Sequence, residues 1–167
     1  MIVKVRESLG ILDKLDCEHD SLFFQEKGKG VKLSPSGNGS AMKIRVDDQT
    51  KNNGSSGLIS IGARCDCLYF YEQSGKRYAF LVELKGNNYP TALKQLETTI
   101  EHWVYKVLCQ AGNPSRKCAV AIVSEKANIN RPRVEEWEDK FNHRLIPIRL
   151  PEDQTYDLAQ LTKRKLR

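Results

Sequence analysis

The chain has 167 residues and a mass of 19.0 kDa, with 40% hydrophobic and 29% charged residues, which suits one folded domain over 1–167 and excludes a wholly disordered or collagen-like chain. Lysine and arginine number 27 against 21 aspartates and glutamates, a net charge of +6 with a pI near 9.1, so an acidic partner is favoured, although a basic surface also serves plain solubility. No run approaches the ~20 apolar residues of a membrane span, the charged start MIVKVRESLG lacks a signal peptide's apolar stretch, and the five cysteines are too dispersed for a secreted disulfide scaffold; the expectation is an intracellular, cytoplasmic protein with reduced thiols and no membrane partner.

In chain order, Ile2-Val3-Lys4-Val5 is β-prone, while Leu9, Leu12 and Leu15 repeat as one helix face does, with Gly10 weakening that helix. Residues 27–39, KGKGVKLSPSGNG, read as a loop with room for a short strand, so 1–40 is expected to form an N-terminal extension. A strand is expected at 41–46, followed by a flexible connection at 47–57. The runs 67–71 and 78–84, separated by a turn containing Ser74-Gly75, predict a hairpin, and the near-continuous apolar run from Tyr78 predicts a strand covered on both faces. Leu93, Leu96, Ile100, Val104, Val107 and Leu108 recur at steps of three and four, predicting one long helix between Pro90 and Gly112. A strand at 118–123, a helix at 133–142, an edge strand at 145–150 marked by Pro147, and a basic tail over 157–167 complete the chain. No internal repeats are seen. The pattern is that of a layered α/β domain.

Charged residues sit where the middle strands begin and end. Side chains alternate along a strand, so Glu83 and Lys85 share one face while Val82 and Leu84 share the other. Antiparallel pairing can then bring Asp66, at the start of one strand, beside Glu83 at the end of its neighbour. Two carboxylates with the backbone carbonyl of Leu84 suit a hard cation such as Mg2+ or Mn2+. Lys85 beside them can orient or help deprotonate a water and offset charge on a phosphate under in-line attack.

Arg64-Cys65-Asp66-Cys67, followed seventeen residues after Asp66 by Glu83-Leu84-Lys85, resembles the PD-(D/E)XK nuclease superfamily, the restriction-endonuclease-like fold. The resemblance implies an αβββαβ core with a mixed central sheet flanked by helices, of which residues 41–123 supply the βββαβ part. It implies a metal-dependent endonuclease hydrolysing phosphodiester bonds, with DNA the expected substrate. Asp66, Glu83 and the Leu84 carbonyl would hold the metal, Lys85 would assist the water, and Gln95 on the following helix would point back to orient water or phosphate. Cys65 stands where many members have proline, and Thr99 where glutamine-bearing branches have tyrosine. The acidic residue of the first helix is open among Glu7, Asp13 and Asp16, with Asp47 approaching from another direction.

Other readings compete. Lys43, Arg45 and Arg64 are candidate contacts to a nucleic-acid backbone, with the solvent face of an edge strand as the plain alternative for the first two. Cys17-x-His19 with Cys65-x-Cys67 offers zinc-type ligands at unusual spacing, whereas alternation puts both Cys65 and Cys67 opposite Asp66 as small packing residues. His19, His102 and His143 are too scattered for a triad, the glycines lack nucleotide-loop spacing, and Trp103 and Trp137 read as core anchors. Specificity is expected from loops 27–40 and 47–57, from a homodimer, or from a protein partner. The rival to an enzyme is a catalytically inactive nuclease-fold module that binds nucleic acid or assembles with another protein.

Overall fold

The computed structural model describes residues 1–26, 28–47, 57–59 and 62–163; most of the expected 47–57 connection, Lys27 and the last four residues of the basic tail lie outside the described residues. The chain forms α1 (Ile2–Ile11), a short 3-10 turn (Leu15–Cys17), β1 (Glu18–His19), β2 (Phe23–Glu26), β3 (Lys29–Lys32), β4 (Ser40–Arg45), β5 (Cys67–Gln73) and β6 (Lys76–Leu84). There follow α2 (Tyr89–Glu101), α3 (Trp103–Gly112), β7 (Arg116–Val123), α4 (Arg131–Phe141), β8 (Arg144–Arg149), β9 (Thr155–Asp157) and α5 (Ala159–Lys163). Among the described residues, no helix is long and apolar enough to cross a membrane.

The main sheet has six strands in the order β1-β4-β5-β6-β7-β8, antiparallel from β1 to β6 and parallel from β6 to β8. It is a mixed sheet with flanking helices. The hairpin closes at Ser74-Gly75, both at positive φ, as a tight reversal between twisted strands requires. β8 carries Pro147 and is the edge, where a missing N–H costs no ladder bond.

Two cores flank this sheet. On one side Val5, Leu9, Leu93, Leu96, Val104, Leu108, Trp137 and Phe141 of the first four helices pack with Leu68, Phe70, Ala79 and Leu81 of the strands. On the other, Tyr69, Tyr71, Phe80, Val82 and Leu84 meet Phe24, Val31, Leu33, Leu158 and Leu161. This second layer is built from a small sheet in the order β2-β3-β9 and from α5.

Three expectations are corrected here. The β-prone start is helical, because Val5 and Leu9, one turn apart, are both fully buried against the rest of the core. α1 lies so close to α3 that a Cβ on Gly112 would stand 2.9 Å from Val5 Cγ2. The long helix is two, broken at His102, whose backbone is extended and whose Nδ1 accepts from the Val104 N–H at 3.3 Å to cap α3. Part of the expected tail is folded, since Leu158 and Leu161 are buried around α5.

Candidate active site

β5 and β6 pair with Cys67 opposite Val82, and the ladder runs one step further through the Asp66 N–H, which donates to the Val82 carbonyl at 3.0 Å. Beyond that point the chain before Asp66 leaves the sheet. The Leu84 N–H finds its acceptor in the Asp66 carboxylate instead, at 2.7 Å from Oδ2. The same bond fixes the Asp66 side chain against the end of β6.

Glu83 shares the face of Ala79 and Leu81, while Val82 and Leu84 pack in the opposite core, as alternation requires. Its side chain is fully buried, with Oε1 in an ion pair 2.7 Å from Lys85 Nζ. Oε2 is buried with no hydrogen-bond partner among the described residues.

Burial pushes the Asp66 carboxyl up to about 7; the Leu84 N–H pulls it back, and the charge of Glu26 adds to the rise. Burial likewise lifts Glu83 to about 8, with the Asp66 charge adding to the rise and Lys85 opposing it. Partial burial lowers the Lys85 ammonium, but the hydrogen bond and charge of Glu83 outweigh it, so its pKa is raised and it keeps its proton at neutral pH. The centre is thus a pair of crowded carboxylates with one cation beside them.

Helix α2 positions the segment that carries Asp66. Asn88 caps it through Oδ1, which accepts from the Thr91 N–H, and Pro90 stands in the first turn. Gln95 Nε2 donates to the Arg64 carbonyl at 2.9 Å, and Thr99 Oγ1 accepts from the Cys65 N–H at 2.9 Å. Gln95, expected to orient water or phosphate, holds the backbone two residues before Asp66.

The expected phosphate contacts are arranged differently. Lys43 is only 3% exposed and donates to the Phe23 carbonyl at 2.6 Å, and burial lowers its pKa. The small sheet covers the face onto which it projects. Arg64 is paired with Asp47, its Nη2 lying 2.8 Å from Oδ1. Arg45 lies with its guanidinium 4.8 Å from the centre of the Phe24 ring, in a cavity of about 520 Å3 lined by Phe23, Phe24, Gln25, Glu26, Arg45, Asp47 and Asp66.

Glu7, Asp13 and Asp16 are exposed and line neither the cavity at Asp66 nor the one at Lys85. Asp47 lines the larger one with Asp66. Sequence reasoning passed over Glu26, whose charge acts on Asp66, Glu83 and Lys85 together. It also borders a smaller cavity of about 170 Å3 with Lys29, Leu84, Lys85, Gly86 and Glu152. A glutamate in a short segment of uncertain fold carried no signal of this placement.

Comparison with protein-family models, with curated proteins and with solved structures finds no match.

Among the described residues, no group of three or more His, Cys, Asp or Glu side chains is arranged to hold a metal ion. The donors that fit a hard cation are the two carboxylates and the Leu84 carbonyl, completed by water as such ions commonly require. The orphaned Glu83 Oε2 and the upward shift of both acids are what a carboxylate pair short of positive charge displays. Zinc is a poor fit. All five cysteines are buried as free thiols, and Cys65 and Cys67 belong to cores on opposite sides of the sheet, correcting the expectation that they share a face. Trp137 is a core anchor, its Nε1 donating to Glu97 Oε1 at 2.9 Å, whereas Trp103 is 60% exposed.

Proposed function

We propose that the chain is a metal-dependent nuclease of the PD-(D/E)XK type, an endonuclease that hydrolyses phosphodiester bonds in DNA with Mg2+ or Mn2+. The observation that carries this reading is the meeting of Asp66, Glu83 and Lys85 at the end of β6, with Lys85 Nζ 2.7 Å from Glu83 and Asp66 fixed by the Leu84 N–H. With β1–β3 set between α1 and β4, and α3 between α2 and β7, the succession α1, β4, β5, β6, α2 and β7 supports it, since it follows the αβββαβ core that the resemblance implies.

In this reading Asp66, Glu83 and the Leu84 carbonyl hold the divalent ion, which when bound supplies Lewis-acid stabilisation of a phosphoryl oxygen and a more acidic water. Lys85 is protonated as it stands, so its part is to donate to a water or phosphate oxygen and to offset growing negative charge. Gln95 and Thr99 act as positioning residues, because they hold the backbone of Arg64 and Cys65 and touch no reacting atom. Target choice falls to the surrounding loops, a second copy or a partner protein.

The test is cleavage of labelled single-stranded, duplex and branched DNA, and of RNA, with magnesium, manganese or chelator. Metal-dependent cutting by the wild type that is lost in Glu83→Ala and Lys85→Ala is the expected result. A folded wild type that binds these probes and cuts none of them overturns the reading in favour of a binding or assembly module.

A further inference from the structure

Lys29 opens β3 and points beneath the small sheet instead of away from it. Val31, two residues on, is fully buried in the second core, while Lys32 faces solvent, and side chains two apart on a strand share a face. Lys29 itself is only 6% exposed and makes no hydrogen bond or ion pair with any of the described residues. It borders the cavity of about 170 Å3 together with Glu26, Leu84, Lys85, Gly86 and Glu152. A charge taken out of water without a partner is costly, and an ammonium has three protons to donate. The backbone on either side is fixed, since the Gly28 carbonyl accepts from the Asp153 N–H at 2.7 Å and the Gly30 N–H donates to the Gln154 carbonyl at 2.9 Å.

The size and charge of the cavity narrow what completes it. Its volume falls below the roughly 300–1,000 Å3 of a small-molecule site, so it suits one group of a larger ligand. Two ammoniums, of Lys29 and Lys85, stand against Glu26 and the exposed Glu152, with no excess of negative charge to turn an anion away. The cavity beside Asp66 differs, because there three carboxylates meet the single guanidinium of Arg45. Lys85 is already paired with Glu83, which leaves Lys29 as the donor for an incoming group. We infer that Lys29 binds a phosphate of the polynucleotide beside the metal site, donating to a non-bridging oxygen as the backbone passes the end of β6. This rests on the nuclease reading for the nature of the ligand, since Leu84 and Lys85 border the cavity and belong to the proposed centre.

Stability and binding are read on the same variants. Lys29→Met keeps an unbranched apolar stem and removes the ammonium, whereas Lys32→Met removes the same charge from the solvent face of the same strand. A buried charge without a partner opposes folding, so Lys29→Met is expected to melt at or above the wild-type temperature in chelator. Fluorescence anisotropy, with calcium in place of the catalytic metal, follows a labelled DNA strand and its duplex over a range of salt concentrations. Lys29→Met is expected to weaken binding by about 10- to 100-fold, the scale of a hydrogen bond to a charged group. It is also expected to reduce the slope of log affinity against log salt by about 1, while Lys32→Met stays close to wild type. A melting temperature well below wild type marks Lys29 as a support of the fold and overturns the inference. Unchanged binding in Lys29→Met, an equal loss in both variants, or no polynucleotide binding at all overturns it too. Manganese-dependent cutting by the wild type alongside an unaffected Lys29→Met leaves the nuclease reading standing alone. A loss confined to Lys29→Met, without cutting under any metal, keeps the phosphate contact and removes the nuclease.

Discussion

Thr99 Oγ1 on α2 accepts the Cys65 backbone N–H at 2.9 Å while donating its own proton to the Gln95 carbonyl at 2.8 Å. With Gln95 Nε2 on the Arg64 carbonyl, it ties the two residues before Asp66 to a helix instead of to the sheet. Thr99→Val keeps the shape and removes the acceptor, leaving a buried N–H unpaired. The expected loss is about 1–3 kcal/mol in urea unfolding, with Thr99→Ser close to wild type. Because the same bond sets where Asp66 stands, manganese affinity measured by calorimetry is expected to fall in Thr99→Val and to persist in Thr99→Ser. A valine variant that loses stability and binds manganese as the wild type does would reduce Thr99 to a packing role.

The carboxylate pair makes the metal-free protein sensitive to base. Asp66 and Glu83 titrate near 7 and 8 in the fold, above their ordinary carboxylate values. Between about pH 4 and pH 8 the native state therefore holds protons that the unfolded chain has released, and stability falls as pH rises. In chelator, the melting temperature is expected to drop from pH 5.5 to pH 8.5. Glu83→Gln should flatten that slope, since it removes one acid and relieves the other. Added manganese should raise the melting temperature more at pH 8 than at pH 5.5, because the ion displaces protons from its ligands. A rise in stability from pH 5.5 to pH 8.5 in chelator would count against the pair.

Lys85 is the cation that this pair already has. Lys85→Met leaves Glu83 without it and pushes that carboxyl further up, so the variant is expected to be less stable than wild type at pH 9 and closer to it at pH 6. On the proposed reading, cleavage falls by about 10²- to 10³-fold, the scale of losing one preorganised donor. Manganese binding is expected to survive, because Asp66, Glu83 and the Leu84 carbonyl remain. Loss of manganese binding in step with cleavage would show Lys85 to be structural.

The middle of the molecule is legible in the sequence because it is local. The hairpin, the alternation at Glu83 and Lys85, and the strand pairing that brings Asp66 to the end of β6 all follow from residues near one another in the chain. What escapes notice depends on distant cover. Alternation correctly puts Lys43 and Arg45 on one face, but nothing nearby says that β2 lies over that face and takes the Lys43 ammonium on the Phe23 carbonyl. β3 is held by Thr155–Asp157, far along the chain, so neither the small sheet nor the approach of Glu26 to the site has a local signature. The break at His102 hides for another reason. The apolar spacing runs straight through it from Ile100 to Val104, and the side chain that caps the second helix is a histidine, an uncommon capping residue.

A second titrating pair, away from the carboxylates, acts in the opposite direction. His143 Nδ1 lies 2.6 Å from the Phe141 carbonyl, which can only accept, so Nδ1 carries the proton and Nε2 accepts from the Tyr105 hydroxyl at 2.7 Å. Burial, the largest influence, lowers the His143 pKa and keeps the ring neutral. The unfolded chain gains a proton at this histidine below about pH 6.5 that the fold resists, so His143 subtracts stability as pH falls through that value. Tyr105→Phe removes the donor and leaves Nε2 buried and unpaired, at an expected cost of about 1–3 kcal/mol at pH 7.5. Without that donor the ring protonates more readily, so the deficit should shrink at pH 5. Urea unfolding of both proteins at the two pH values measures it, and a deficit that is equal at both, or larger at pH 5, would mean that the hydroxyl does not hold the ring neutral.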